Sequence, residues 1–277
     1  MGLSINTNEL TLGAERNLDI SQGKFDKTIK RLSSGNRIIQ ASDDPAGLAI
    51  SDNLNAQIRS LNQAIHNAQD GAALAQVFEG GANGISNALI RIRELAMQSA
   101  TDTVDDTERG MLNNEARELV SEISRIAKTT KFAGVRVLSG EKDTLEFQIG
   151  IDNDPDIDRI KFDGSHANLT AEGLSVDDVR VDDKIAAQES LNRIDEAINH
   201  VNNVRAKIGS TQARLNTTVQ AQQIFTENLT SARSRIADAD VVAESAELAK
   251  QSILRKAGVA VLSQANETPA LLLQLLR

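Results

Sequence analysis

The sequence predicts a mainly α-helical fold, a long antiparallel helical bundle or coiled coil with a small β-hairpin in the middle. Aromatic residues make up only 2% of the 277 residues, so the apolar side chains are mostly Ala, Leu, Ile and Val, which suit narrow seams between helices. Only 3 Pro residues occur, which leaves long helices uninterrupted. Apolar residues recur at alternating steps of three and four, as they do in helices that pack along a stripe.

Five apolar stripes predict the helices. All of them repeat with helical spacing, and they run through Leu18–Leu32, Leu54–Ala75 continued by Ile85–Ala96, Leu112–Ile126, Leu191–Val219 and Val242–Ala260. The second stripe crosses Gly80 and Gly81, each of which costs a helix about 1 kcal/mol of stability. A bend at this pair and a straight helix are both compatible with the pattern.

Stop and restart signals separate the first stripe from the second. Gly35 follows the first stripe and is a typical residue just beyond a helix C-terminus. Ser42, Asp43 or Asp44 can cap the next helix, and Pro45 then occupies its first position. We therefore expect one helix to end near Ser34 and another to begin near Pro45.

A second break is expected between the second and third stripes. Residues 101–107 read TDTVDDT, which predicts a turn between two helices. Either Asp105 or Asp106 can cap the helix that Thr107 and Glu108 open.

The centre of the chain predicts strands. The stretch TLEFQIGI alternates apolar and polar residues, DNDPD predicts a turn, and IDRIKF alternates again, which together indicate a β-hairpin. Residues 165–183 follow and are expected to be irregular. The segment 143–183 holds 12 acidic and 3 basic residues, and this accounts for the formal charge of −9 of the whole chain. We expect this acidic segment to be exposed to water.

The charge pattern also bears on partners. Outside the acidic segment the chain is neutral, so these parts can approach copies of themselves without large repulsion. There is no basic stripe with stacking aromatic residues, and nucleic-acid binding is therefore disfavoured. The apolar runs are far shorter than a membrane span, so we expect no insertion into a membrane.

No group of residues predicts catalysis, a cofactor or a metal. The chain has no Cys and three scattered His, and it lacks a nucleophile elbow and a phosphate-binding loop. Asp152 and the alternate Asp residues after it have the spacing of a calcium loop. However, Ile157 stands where that loop needs Gly, and Asp163 where it needs Glu, so a solvated acidic turn is preferred. We expect the protein not to be an enzyme.

A series of motifs resembles the bacterial flagellins, in the same order along the chain. The motifs lie at Ile5–Leu10 (INTNEL), Arg31–Ile38 (RLSSGNRI), Ser42–Ile50 (SDDPAGLAI), Gln57–Gly71 (QIRSLNQAIHNAQDG), Ile90–Ala100 (IRIRELAMQSA), Phe132–Gly140 (FAGVRVLSG), Phe147–Gly150 (FQIG), Arg233–Asp240 (RSRIADAD) and Gln251–Asn266 (QSILRKAGVAVLSQAN). They cover most of the chain, which is identified as a short flagellin that lacks the large variable outer domains.

The resemblance implies a structural subunit of the extracellular flagellar filament, exported unfolded and polymerised into a helical tube for swimming. Residues 1–42 and 238–277 would pair as an antiparallel coiled coil in the inner core of the filament. Residues 43–237 would form an outer helical rod that carries the β-hairpin and the exposed acidic segment 143–183.

The resemblance and the stripes together assign two structural sites. The inner contacts of the polymer are expected at eight apolar residues of the terminal helices: Leu18, Phe25, Ile29, Leu32, Ile253, Leu254, Val259 and Val261. The joint between the inner and outer layers is expected at four residues, Gly35, Asp43, Asp44 and Pro45.

The resemblance also implies partners. These are the chain itself, a flagellar export chaperone, the filament cap and the hook-junction proteins. A further partner is the vertebrate flagellin receptor, whose contacts would correspond to Arg91, Leu95 and Glu115. Arg91 and Leu95 are spaced i and i+4, so they are expected to share one face of a helix.

Two other functions remain compatible with the helical pattern. A hook–filament junction protein would share the terminal motifs, whereas a helical adhesion or binding module would not polymerise. The paired terminal motifs argue against the module, and the dense match at Ile90–Ala100 and Phe132–Gly150 favours a filament flagellin.

Overall fold

The computed structural model describes residues 9–141, 144–164 and 167–275. The helices are α1 (Glu9–Ser34), α2 (Pro45–Ser99), α3 (Asp106–Thr129), α4 (Lys184–Ala237) and α5 (Val241–Leu275). The strands are β1 (Lys131–Phe132), β2 (Val135–Arg136), β3 (Thr144–Gln148) and β4 (Arg159–Asp163). The predicted mainly helical fold is thus confirmed. Four of the expected segment boundaries, at residues 1, 143, 165 and 277, lie outside the described residues. The first four residues of the INTNEL motif, residues 5–8, also lie outside them.

The chain forms two compact units. One unit comprises residues 57–227, and the other comprises the residues up to Ala56 together with those from Asn228 onward. The second unit contains the pair of helices α1 and α5, and in addition the beginning of α2 and the end of α4.

The core of residues 57–227 lies along α2, α3 and α4. The α2 stripe from Leu61 to Ala96 is buried, as its spacing predicts. The largest fully buried side chains of this core include Phe78, Ile85, Leu89, Ile123, Ile194 and Ile208. Arg205, which interrupts the apolar stripe of α4, lies at the edge of this core and pairs with Glu79 of α2 at 2.6 Å.

The predicted β-hairpin is present as β3 and β4. The two strands pair antiparallel, with Phe147 opposite Ile160 and Leu145 opposite Phe162. Ile149 and Ile160 pack with Ala68 of α2 and Leu215 of α4. The hairpin therefore fills the space between two helices of its unit. A second, shorter hairpin of β1 and β2, which the sequence pattern did not predict as a separate element, turns at Ala133 and Gly134 with positive φ.

The acidic segment differs from its expected form. Residues 167–183, which we call the strap, have no regular structure, as predicted, but the expected exposure applies to their charged and polar side chains and not to their apolar ones. The apolar side chains of the strap are buried in the helical core: Ala167, Leu169, Ala171, Leu174, Val176, Val179 and Val181. Hydrogen bonds from Ser99 to the Val181 carbonyl (2.5 Å) and from the Val181 amide to Asn113 (3.0 Å) hold its end.

The pair Gly80–Gly81 lies inside an unbroken α2. A Cβ atom placed on Gly81 would lie 2.5 Å from Leu138 Cδ1 and 2.9 Å from Thr130 Oγ1, whereas Gly80 has open space around it. Gly81 therefore allows the chain around β1 and β2 to pack closely against α2, and the helix continues through both glycines.

Candidate assembly surface and interhelix joint

Helices α1 and α5 pair along an antiparallel heptad seam. Buried and half-buried positions recur at steps of three and four on both helices, and they include Thr11, Ala14, Leu18, Ser21, Phe25, Thr28 and Leu32 on α1 and Glu244, Leu248, Gln251, Arg255, Gly258, Leu262 and Ala265 on α5. Ser21 meets Gln251, and Arg31 meets Glu244, which establishes the antiparallel direction. The pairing of terminal helices is as the sequence predicts.

Much of this seam is polar. Ser21 donates a hydrogen bond to Gln251 Oε1 (3.1 Å), and the Gln251 side-chain amide donates in turn to the Glu247 carboxylate (2.6 Å). The hydrogen bond from Gln251, followed by that from Lys250, lowers the pKa of Glu247. The Arg255 guanidinium lies over the Phe25 ring at 4.2 Å. A seam of this composition gains less from apolar burial than one of Leu and Ile, so the isolated pair is weakly stabilised.

Five strongly apolar residues of the pair lie outside the seam and are exposed. Ile29, Ile253, Leu254, Val259 and Val261 are between 42% and 66% exposed, and we call these five residues the outward face. Of the eight predicted polymer contacts, only Leu18, Phe25 and Leu32 lie in the seam. The fifth predicted stripe, from Val242 to Ala260, is exposed and does not pack on α1.

The first crossing between long helices comprises residues 35–44. Gly35 has φ of +70° and its amide donates to the Arg31 carbonyl (2.9 Å), so it ends α1 in the conformation that favours glycine. Asp44 Oδ1 accepts the Gly47 amide (2.9 Å) and caps α2, which begins at Pro45. The predicted end and restart of the helices are confirmed.

Asp43 has a different role from its neighbour. Its side chain is only 3% exposed, lies 2.6 Å from Lys27 Nζ of α1, and accepts the Ile39 and Gln40 amides. The hydrogen bond from Lys27, followed by that from Ile39, lowers the pKa of Asp43 from 3.8 to about 2. Because the folded pKa is the lower one, this stabilisation is complete above pH 3.8 and is lost as the pH falls through about 2.

The second crossing comprises residues 237–240, where α4 ends and α5 begins. Asp240 caps α5 by accepting the Val242 amide at 2.9 Å and the Ala243 amide at 3.1 Å. This cap is not among the predicted ones, although an Asp directly before the apolar pair Val241–Val242 is a helix-start signal. The Arg37 amide donates to the Ala237 carbonyl (2.7 Å), so the two crossings are in contact.

The three residues expected at the vertebrate receptor are not equally accessible. Arg91 reaches across from α2 to α3 and contacts Glu115 at 2.9 Å and Glu94 at 2.9 Å, and these carboxylates raise its pKa. After the turn between these helices, Asp105 caps the N-terminus of α3, so of the two predicted caps, Asp105 and Asp106, the first is the observed one. Leu95 is 1% exposed and packs in the core. The expected surface contact through Leu95 is therefore corrected: its side chain is enclosed in the core and is not available at the surface beside Arg91 and Glu115.

The described residues contain neither a cluster of metal-ligating side chains nor a membrane-spanning helix. Among residues 9–141, 144–164 and 167–275, no three His, Asp or Glu side chains lie together as metal ligands. In the hairpin turn, the Asp154 carboxylate accepts a hydrogen bond from the Asp156 amide, and the Asp158 carboxylate accepts one from the Asp154 amide. These hydrogen bonds shape the turn. None of the helices in these ranges is both long and apolar enough to cross a bilayer.

Two family models match the chain. The model of the bacterial flagellin N-terminal helical region matches residues 5–143, and that of the C-terminal helical region matches residues 191–276. A flagellin of Halalkalibacterium halodurans is 39% identical over 277 aligned residues that cover 99% of both chains. The flagellar filament 33 kDa core protein of Treponema phagedenis is 37% identical with 99% of both chains covered, and a flagellin of Bacillus subtilis is 36% identical with 99% of this chain and 100% of that one covered.

Solved structures agree with these matches. The flagellin of Bacillus cereus aligns with a TM-score of 0.50 and 27% identity, over 57% of this chain and 88% of that one. A putative flagellar hook-associated protein from Vibrio parahaemolyticus shares the fold, with a TM-score of 0.58 and 15% identity over 71% of this chain and all of its own. With both terminal regions matched and relatives up to 39% identical along nearly its whole length, the chain belongs to the bacterial flagellin family.

Proposed function

We propose that this chain builds the bacterial flagellar filament by burying the outward face of its α1/α5 pair against neighbouring copies of itself. As a short flagellin, it is a structural subunit of the extracellular filament. The observation that supports the contact is the exposure of large apolar side chains on the pair: Ile253, Leu254, Val259 and Val261 face water, although the seam beside them is only partly apolar. A contact between different surfaces of successive copies, when it does not close into a ring, generates an open helical polymer.

Elongation of filament seeds tests this proposal. Purified chain is added to short seeds, and electron microscopy measures the length of tubes that form. We expect long tubes, and we expect a chain truncated before Ala257 to form none while circular dichroism still reports its other helices. Failure of the complete chain to elongate seeds would favour the junction protein or the non-polymerising adhesion module.

The remaining partners are proposed on the same basis. An exposed apolar face on α5 needs cover before assembly, which supports an export chaperone as a partner of the free chain. The filament cap and the hook-junction proteins would contact the subunits at the two ends of the polymer. The chain has no Cys, so no disulfide would hinder its export in an unfolded state.

The joint at Gly35, Asp43, Asp44 and Pro45 is proposed to set the shape of the filament. Alanine at Gly35 adopts a positive φ at a cost of about 1–2 kcal/mol, and Asp44→Ala removes a helix cap worth about 1 kcal/mol. We expect both variants to keep a folded monomer and to change the helical form or yield of filaments, measured by electron microscopy.

The matched control for the joint is Asp105→Ala, since Asp105 caps α3 with the same geometry in the other unit. It should lower the stability of the monomer by a similar amount and leave the helical form unchanged. Filaments of unchanged form and yield from both Gly35→Ala and Asp44→Ala would reduce the joint to an ordinary loop.

We further propose that the monomer binds the vertebrate flagellin receptor through Arg91 and Glu115. The support is their 2.9 Å pairing on the exposed surface of α2 and α3. Arg91→Ala should weaken binding about tenfold, because an Arg at an interface centre commonly contributes 1–2 kcal/mol or more. Surface plasmon resonance with the receptor ectodomain measures the dissociation constant.

Arg125→Ala is the control, since Arg125 forms a comparable exposed pair with Glu122 on α3. Equal dissociation constants for the Arg91→Ala and Arg125→Ala variants would contradict the proposal.

A further inference from the structure

The two crossings of the chain are hydrogen bonded to each other. The Arg37 amide donates to the Ala237 carbonyl (2.7 Å), and the Ala239 amide donates to the Gly35 carbonyl (2.9 Å). Asn36 and Asp238 stand opposite each other between these bonds as an antiparallel bridge. The crossing that leaves α1 and the crossing that leaves α4 therefore form a short two-stranded ladder, although 202 residues of sequence separate Asn36 from Asp238.

One side chain contacts both crossings. The Arg37 Nε and Nη2 atoms donate to the Ile236 carbonyl at 3.1 and 2.6 Å, in the last turn of α4. A carbonyl in that turn has no partner within its own helix, and a cation there also meets the negative end of the helix dipole. The same Nη2 lies 3.6 Å from Oδ2 of Asp44, the cap of α2. Arg37 thus links the end of α4 with the start of α2.

We propose that Arg37 is a positioning residue that holds the two crossings together as a single clamp. A planar guanidinium can place two donors on one carbonyl and keep a third direction for Asp44, which a lysine ammonium on its flexible stem does not reproduce. The clamp makes the chain change direction at both crossings together. This inference rests on the proposed role of the joint in filament shape, because it states how the joint acts.

Hydrogen exchange of the free monomer tests the clamp without filaments. The Ala239 amide, which donates across the ladder, should exchange about tenfold faster in Arg37→Ala, since bonds from a charged donor are lost beside it. Arg37→Lys should also exchange faster than the original chain. Arg235→Ala is the control, because Arg235 lies in the same turn of α4 and donates to Ser231. Unchanged exchange in Arg37→Ala, full rescue by Arg37→Lys, or an equal effect of Arg235→Ala would overturn the clamp.

A cross-link tests the clamp in the polymer. Asn36 and Asp238 form the non-hydrogen-bonded type of pair, whose Cα atoms lie about 4.5 Å apart, a separation that a disulfide spans. The chain has no Cys, so Asn36→Cys/Asp238→Cys offers a single intramolecular disulfide. Oxidised glutathione forms it by thiol–disulfide exchange: its own S–S bond breaks, and the two glutathione thiols that result carry away the two electrons and the two protons. The control carries Ser at both positions.

We expect the oxidised variant to elongate seeds within about twofold of the rate of its Ser control, because the crossings stay together during assembly. Failure of the disulfide to form, or loss of elongation that a reductant restores, would overturn the clamp. The proposed role of the joint fails separately, when Gly35→Ala and Asp44→Ala leave the filament form unchanged even though the exchange result stands.

Discussion

We expect aspartate at both Val259 and Val261 to abolish elongation of filament seeds. Both side chains belong to the outward face and are more than half exposed in the single chain, so the monomer tolerates charges there. Assembly would bury these charges without partners, at a cost of several kcal/mol per subunit. A cost of about 3 kcal/mol already raises the concentration needed for growth about a hundredfold. Sedimentation of the polymer at increasing protein concentration measures this threshold.

The double variant with Thr at Val259 and Val261 is the matched control. Threonine keeps the shape of valine and replaces one methyl group with an uncharged hydroxyl, so the threshold should rise far less than with aspartate. Circular dichroism of each monomer reports whether α5 is intact. If the aspartate variant has the threshold of the original chain, the outward face is not buried in the filament and the proposed contact is wrong.

Alanine at Gly81 and at Gly80 should change monomer stability in opposite directions, although the two residues are adjacent in α2. A Cβ at position 81 would press on Leu138 and Thr130, and such overpacking costs about 1–3 kcal/mol. A Cβ at position 80 meets nothing within 4 Å, so Gly80→Ala gains helix propensity and should add up to about 1 kcal/mol. Urea unfolding followed by circular dichroism gives both free energies of unfolding.

Each of these glycine variants controls for the other, because both make the same substitution in the same helix. Equal stabilisation of both would show that the chain near Leu138 is not packed against α2. Equal destabilisation would show that α2 needs flexibility at this pair rather than close approach at one of its members.

Local signals predicted the elements well because they act over a few residues. Helix α1 ends before Gly35, and α2 begins at Pro45 with Asp44 as its cap, as predicted. Helix α3 is capped by Asp105, which was one of two predicted candidates. The alternation in TLEFQIGI produced β3. Each of these features depends on backbone geometry within one turn, which the sequence itself carries.

Features that depend on distant partners were missed. The α5 half of the seam contains Glu244, Gln251 and Arg255, and polar residues of this kind predict a solvent-exposed surface. Their place in the seam depends on their partners on α1, which are Arg31, Ser21 and Phe25 respectively. The acidic residues of the strap predict exposure of the whole segment, whereas its apolar residues, which recur between them, are buried in the core. Leu95 shares the i and i+4 spacing with Arg91, yet a helix in a bundle buries a wide stripe, and its edge includes Leu95.

The seam between α1 and α5 joins the two extremes of the chain, since Ser21 and Gln251 are 230 residues apart. Whichever end of the chain is delivered first, it must wait for nearly all of the other residues before this contact can close. The capped helices between them can form at once, because their hydrogen bonds are local. The seam therefore cannot close until residues of both α1 and α5 are available in the same chain, and the paired surface exists only after that point.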